Sequence, residues 1–395
     1  MPGPLSGLKV VEMGTLIAGP YCARLLAEFG AEVVKVETPG EGDPLRKWRR
    51  LHEGNSLWWY AQARNKKSIA VNLRDPEGQA IVRKLAKGAD IVVENFRPGT
   101  MEKWGLGYEA LSDGNPGLVM VRISGFGQTG PYRDRPGFGA IGESMGGMRY
   151  VTGYADRAPV RVGISIGDSL AAMFGVIGAL MALHQRAASG KGQVVDVALY
   201  EAVFAMMESM LPEYGADGFV RERTGASLPG IVPSNTYPCR DGKYIVIGAN
   251  ADSIFKRMMR AIGRPDLADD PSLATNDGRV ARTAQLDAVI SEWTRQHDLD
   301  EALRVLEGAQ VPSGRIYSIA DIAADMHYQA RGMIERHKLG ERDLLLPGIV
   351  PKLSDTPGGT KWIGPRLGEH TGEVLGALGF GAAEIEALKA RGVVS

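Results

Sequence analysis

Apolar and polar positions alternate with a steady rhythm over the first half of the chain. Lys9–Met13 (KVVEM) is a short apolar run, and Ala18-Gly19-Pro20 opens a stretch of helical spacing through Phe29. Pro20 suits the start of a helix and Gly30 its stop. Ala31–Glu37 (AEVVKVE) reads as a second strand. The opening therefore predicts a strand–helix–strand unit of the kind that builds a parallel sheet. Ile69–Asn72, a helix near Glu77–Lys87 and a strand at Ala89–Glu94 repeat the pattern, and Leu118–Ile123 adds another strand. Val194–Val197 and a helix over Leu199–Met210 complete a large α/β domain.

The longest apolar stretch is Val162–His184, VGISIGDSLAAMFGVIGALMALH. It predicts a β-like segment, a sharp turn at Gly167, and a helix whose run from Leu170 to Leu183 is apolar throughout. That run is shorter than a bilayer needs and ends in His184-Gln185-Arg186, so it predicts a helix buried on all sides and not a membrane span. Ala171, Ala172, Gly175, Gly178 and Ala179 would let other backbones approach it closely. Asp168 is the one charged group at its mouth. A carboxylate in a first helical turn can satisfy free N–H groups and is favoured by the helix dipole. The same placement suits a pre-aimed nucleophile at a strand-to-helix turn. The local pattern leaves both readings open.

Elsewhere the periodicity fades. Phe126–Thr152 is rich in glycine and reads as surface loop that carries function. Pattern lapses again over residues 212–224, which predicts a linker. Residues 225–325 change character, with a hairpin-like YPCRDGKYIVIGA and helices near Ser253–Ile262, Arg279–Arg295 and Leu299–Glu307. Asp298 and Glu301 have the spacing of a capping box. The organisation expected is a large domain over residues 1–211 and 326–395, and a smaller α/β domain over 225–325.

Composition narrows the function classes. Lys plus Arg and Asp plus Glu both number 46 in 395 residues, so no global field favours nucleic acid or an anionic membrane. The two cysteines, Cys22 and Cys239, cannot by themselves build a disulfide framework or a zinc cluster. No His has metal-ligand spacing with another His or Cys, so no catalytic metal is expected. The start, MPGPLSGLKVVEMG, lacks a basic segment followed by an apolar core, which makes the cytoplasm the expected location.

Two familiar motifs fail on context. Gly125, Gly127 and Gly130 spell G-x-G-x-x-G after a strand, but Pro131 and a polar run follow where a dinucleotide site needs a helix start. Gly142, Ser144 and Gly146 spell G-x-S-x-G, yet neither flank reads as the strand or the helix that strains a nucleophile elbow. The basic group Arg46-Lys47-Trp48-Arg49-Arg50, with Lys66 and Lys67, reads either as a solvated face or as a polyphosphate site with Trp48 as a stacking plate.

Several segments taken together resemble the class III coenzyme A transferases. They are Val10–Pro20 into Gly30–Glu37, NKKS at Asn65–Ser68 into Pro76-Glu77-Gly78, ENFRPG at Glu94–Gly99, GISIGDS at Gly163–Ser169, GKGQVVDV at Gly190–Val197 and LGEHT at Leu367–Thr371. The resemblance spans nearly the whole chain in order. It implies a Rossmann-like large domain, a smaller α/β domain, and a chain closing into a ring that interlocks with a second subunit as a homodimer. It also implies that Asp168 is the nucleophile, attacking an acyl-CoA thioester to give a mixed anhydride and then an aspartyl-CoA thioester. Carried over by position, the CoA-contacting residues are Ile17, Ala18, Val71, Asn72, Leu73, Arg74, Asn95, Phe96, Arg97 and Lys103, and the acyl pocket is Trp48, Gly137, Phe138 and Gly139. Coenzyme A is substrate in this chemistry, with no tightly bound cofactor.

Departures refine the expectation. Ile17, Thr38 and Phe138 stand where formyl-CoA enzymes carry Gln, Arg and Tyr, and Ser227–Gly230 replaces their glycine run. These differences argue against oxalate and formate. The stretch Pro229–Tyr237 is more similar to members acting on succinyl-CoA and other dicarboxylic acids. Two alternatives remain: an α-methylacyl-CoA racemase-like acid–base enzyme, which needs a proton-moving His where this chain has Phe138, and a non-catalytic acyl-CoA-binding protein, which would not require Asp168.

Overall fold

The computed structural model describes residues 3–395. The chain divides into two compact units. The first comprises the N-terminal residues through Arg149, Val162–Val220 and Gly332–Ser395, and the second comprises Tyr150–Arg161 and Arg221–Arg331.

The first unit is built on six strands: β1 (Lys9–Glu12), β2 (Glu32–Glu37), β3 (Lys66–Ala70), β4 (Ile91–Glu94), β5 (Val119–Ser124) and β6 (Val194–Ala198). All neighbours pair in parallel, in the order β3-β2-β1-β4-β5-β6. The winding direction reverses between β1 and β4, which opens a crevice at the carboxyl ends of those strands. Both faces of the sheet are covered, and this is why the strands read as apolar runs and not as strict alternation. Val10, Val33, Val93 and Val121 pack beneath α1 (Ala18–Glu28). Val11, Val36, Ile69 and Val92 pack on the opposite face with α2 (Pro76–Lys87) and the helices Thr371–Ala377 and Ala382–Ala390.

The segment 126–152, expected as loop, contains the helix α3 (Gly139–Met145). Its glycines lower intrinsic helix propensity but permit close packing, and the packing wins. A Cβ at Gly142 would stand 2.8 Å from Leu199 Cβ, and one at Gly146 2.6 Å from Val203 Cβ. No strand forms over Val162–Ser165; α4 begins at Ile166 and runs to Ser189, ending at Gly190 with φ 71°. Its small-residue stripe lies on the sheet: a Cβ at Gly175 would meet Val121 at 3.1 Å and Cys22 Sγ at 3.2 Å. The expectation of burial on all sides is corrected. The sheet and neighbouring helices cover one face of α4, and Met173, Ile177, Leu180 and Met181 on the other are exposed. Among the described residues α4 is the one helix whose length and composition would allow it to cross a membrane. It is, however, the crossover between β5 and β6, adjacent parallel strands of one sheet. Beyond β6, the expected helix over Leu199–Met210 stops at Phe204 (α5, Leu199–Phe204), and α6 (Met210–Asp217) occupies part of the expected linker.

The second unit carries the expected hairpin, β7 (Ser234–Pro238) and β8 (Tyr244–Gly248), extended by β9 (Ser313–Arg315) into an antiparallel sheet. Tyr237, Ile245, Phe255, Met258, Leu286 and Leu303 form its core. The helix expected over Arg279–Arg295 is two, Asn276–Ala281 and Thr283–Thr294. Arg279 anchors the first of them: its buried guanidinium donates to the Val232, Leu273 and Asn250 carbonyls and pairs with Asp252. The capping box at Asp298 is not formed, because that carboxylate accepts from Arg240 Nε at 2.9 Å. A capping box does form at Ser318 with Asp321.

Candidate functional site

Parallel strands bring all their carboxyl ends to one edge of the sheet, and the crossover helices begin there. A cleft of about 420 Å³ opens at that edge. It is walled by Met13–Thr15 after β1, Lys35–Pro39 at the end of β2, Val71–Arg74 after β3, and Phe96 and Trp104 after β4. Phe96 and Trp104 meet edge to face at 5.1 Å. The reversal of strand order places this cleft where α/β sheets bind ligands.

At the floor of the cleft, which Lys35, Glu37 and Asp43 also line, Glu12, Lys35, Glu37 and Lys66 supply charged positions on the strands, and Asp43 and Arg46 come from the turn after β2. All six are buried. Lys35 Nζ lies 2.7 Å from Glu12 Oε1 and 2.9 Å from Asp43 Oδ2. Lys66 Nζ takes the other Glu12 oxygen at 2.7 Å. Arg46 grips both oxygens of Glu37 at 2.8 Å, and Ser68 Oγ donates to the same carboxylate at 2.5 Å. Three acids balance three bases, so no net charge is buried. Removing one partner of such a pair costs about 3–5 kcal/mol, because the other is left uncompensated. Burial drives Asp43 upward, but the Lys35 ammonium and donated N–H groups outweigh it and hold the carboxyl below its usual range. Its contribution to stability is thus present above the ordinary Asp pKa and lost as pH falls through the depressed one.

The basic group around Trp48 splits accordingly. Arg46 and Lys66 are committed to buried carboxylates, and Lys67 pairs with Glu32 and Glu373. Trp48 is exposed and lies 6.5 Å from Trp58 in a tilted arrangement. Of the residues assigned by position to CoA, Val71, Asn72, Leu73, Arg74 and Phe96 line the cleft. Ile17 and Ala18 are buried where α1 begins. Asn95 holds the loop after β1: its Oδ1 accepts from Thr15 N at 2.7 Å and its Nδ2 donates to Thr15 O at 3.0 Å. Arg97 and Lys103 are exposed, the latter ending the short helix Thr100–Lys103. The LGEHT stretch seals the edge strand β3. Ser68 N donates to His370 Nδ1 at 3.2 Å, and Ala70 N donates to Thr371 Oγ1 at 3.1 Å.

Asp168 lies in the first turn of α4, partly buried. Its carboxylate occupies the space in which a side chain on Gly139 would begin: a Cβ there would stand 2.7 Å from Asp168 Cγ and closer still to Oδ2. Gly139 opens α3, so the first turns of two helices meet at this carboxylate. Gly167 completes the fit, since a Cβ on it would meet Gly139 O at 3.0 Å and Glu143 Cγ at 3.3 Å. Glu143 is buried and 3.6 Å from Arg149. Sequence reasoning missed it because the segment was read as loop. Gly137 backs onto Gly125, where a Cβ would stand 3.0 Å from the opposing Cα. Phe138 is 69% exposed. Ser144 is an ordinary helical serine, donating from Oγ to Ala140 O at 3.1 Å, and makes no nucleophile elbow. The glycines 125, 127 and 130 form bends with no helix start.

The family described as CoA-transferase family III matches residues 5–371. The succinyl-CoA–D-citramalate CoA-transferase of Chloroflexus aurantiacus is 53% identical over 396 residues, covering 100% of this chain and 98% of that protein. The succinate–glutarate CoA-transferase of Agrobacterium fabrum is 36% identical over 385 residues, covering 95% and 96%. Among solved structures, a CAIB/BAIF family protein from Brucella suis superposes with a TM-score of 0.85 at 36% identity, covering 96% of this chain and 100% of that one. With a reversed-order parallel sheet, a carboxylate seated on glycine at a helix mouth and full-length similarity of this degree, the chain belongs to CoA-transferase family III.

Proposed function

We propose that this CoA-transferase moves coenzyme A from succinyl-CoA to a short dicarboxylic or hydroxydicarboxylic acid, with Asp168 as the covalent carrier and citramalate as the first acceptor to test. The observation that carries the reading is the seat of Asp168 against Gly139. The acceptor class is supported by relatives named for citramalate, malate, glutarate and mesaconate.

An Asp168 oxygen attacks the succinyl thioester carbon, the C–S bond breaks, and CoA leaves as thiolate with a succinyl–aspartyl anhydride left behind. The thiolate attacks the aspartyl carbonyl, giving an aspartyl-CoA thioester and free succinate. The acceptor carboxylate then displaces the thiolate to form a second anhydride. Attack of that thiolate on the acceptor's carbonyl yields the new acyl-CoA and returns Asp168 as carboxylate. No electron or net proton is exchanged, and each step pairs an activated carbonyl with a nearby nucleophile. The cleft at the strand-order reversal takes the nucleotide end of CoA, with Val71–Arg74 and Phe96 as its wall. Racemisation has no support at residue 138, since phenylalanine cannot carry a proton.

The exposed apolar face of α4 supports a homodimer, here proposed as interlocked rings. Met173, Ile177, Leu180 and Met181 form one stripe that burial would stabilise by about 25 cal/mol per Å² of apolar surface. Light scattering should return twice the 42.4 kDa chain mass, and a monomer at micromolar concentration would reject the dimer.

Substrate class is tested by supplying succinyl-CoA, acetyl-CoA or formyl-CoA with citramalate, malate, glutarate, mesaconate, acetate or oxalate, and separating the thioesters chromatographically. Succinyl-CoA with a dicarboxylate should give product at the highest kcat/KM. Faster turnover of the formyl-CoA and oxalate pair would overturn the assignment.

A further inference from the structure

The turn after β2 carries a group to which neither the family resemblance nor the proposed chemistry gives a role. Asp43 is 2% exposed. Its Oδ1 accepts from Leu16 N at 3.0 Å and from Leu45 N at 2.8 Å, while Oδ2 lies 2.9 Å from Lys35 Nζ. The same Lys35 ammonium donates to Gly14 O at 2.8 Å. The pair therefore grips the loop after β1 at both ends, by the carbonyl of Gly14 and the N–H of Leu16, while Asn95 holds Thr15 between them. Leu16 sits at φ 65°, in the left-handed region. For a residue with a Cβ that region costs about 1–2 kcal/mol, and it persists only where the surroundings over-determine it. Here the strain falls one residue after Met13–Thr15, which form a wall of the cleft; Lys35 and Asp43 also border it, but both are almost fully buried and their polar atoms are spent on the loop and on each other.

We infer that Asp43 is a positioning residue for coenzyme A: through Leu16 it holds the β1–α1 loop in the one conformation that shapes the cleft. This rests on the reading that the cleft takes the nucleotide end of CoA. A purely structural Asp43 would sustain the fold without setting affinity, and the two roles separate in a pair of variants.

Asp43→Ala deletes the acceptor and leaves Lys35 with Glu12 alone. The double variant Lys35→Met with Asp43→Leu deletes that grip on Leu16 N and the Lys35 grip on Gly14 O as well, and buries no unpaired charge. Apolar replacement of a buried ion pair is often neutral or stabilising. The double variant is therefore expected to melt close to the unmodified protein. In both variants the Kd for CoA by calorimetry and the KM for succinyl-CoA should rise at least tenfold, with the KM for the acceptor acid unchanged. A folded double variant that binds CoA within twofold of the unmodified protein overturns the inference, whatever Asp43→Ala does. Thr38→Trp, which fills the cleft from its wall, serves as the control on the underlying reading. If it leaves CoA affinity unchanged, the cleft is not the CoA site and the inference falls with it. If it weakens CoA binding while the double variant does not, the role of Asp43 alone is rejected.

Discussion

Asp168→Asn should lower kcat by at least about 10⁴-fold, roughly 5.5 kcal/mol of transition-state stabilisation, as expected when a covalent nucleophile is removed. The amide is nearly isosteric and stays within the space that Gly139 leaves. The melting temperature and CoA affinity should therefore hold, which separates loss of chemistry from loss of structure. Intact-mass measurement after brief exposure to succinyl-CoA should show a CoA adduct on the unmodified protein and none on the variant. A variant that keeps turnover within tenfold would remove Asp168 from the mechanism.

Gly139→Ala should be the second most damaging change. The added methyl would stand 2.7 Å from Asp168 Cγ, well inside van der Waals contact. Backbone sits on one side and carboxylate on the other, so the Asp168 side chain must rotate or α3 must shift. Displacing a reacting atom by about 1 Å can cost about 10²-fold in rate. We expect a fall of that size in kcat, with the KM for succinyl-CoA changed less than threefold because the cleft lies at other residues. Steady-state kinetics on both substrates checks this. A kcat within threefold of the unmodified enzyme would mean that the carboxylate has freedom the close seat does not suggest.

Much of this was legible in the residues. The apolar runs at Val10, Val33, Ile91 and Val119 and the helical stretches between them marked a parallel sheet, because a sheet covered on both faces needs strands apolar on both. Asp168 was conspicuous as a lone charge on an apolar helix. The polar positions Glu12, Lys35 and Glu37 were visible within the strands too, yet spacing could not say that they face one another. That pairing depends on strand order, and Glu12 meets Lys35 because β1 and β2 lie side by side in register.

Misreadings cluster where packing overrides local preference. Glycines made residues 139–146 look like loop, although the same glycines let α3 press against Leu199 and Val203. The helix end at Phe204 and the break at Arg282 fall where the sequence has no glycine or proline to mark them. Asp298 had the spacing of a cap, but Arg240 offered its carboxylate a charged partner instead.

The sequence by itself determined the layered α/β architecture, singled out the Asp168 carboxylate at the mouth of an apolar helix and carried the family resemblance, since each rests on periodicity or on short contiguous motifs. Tertiary structure decided what surrounds that carboxylate, which basic residues are spent on buried acids, and how the loop after β1 is held. Those outcomes turn on contacts between residues tens or hundreds of positions apart, and only the folded backbone brings such partners within the few ångströms over which hydrogen bonds and steric fit act.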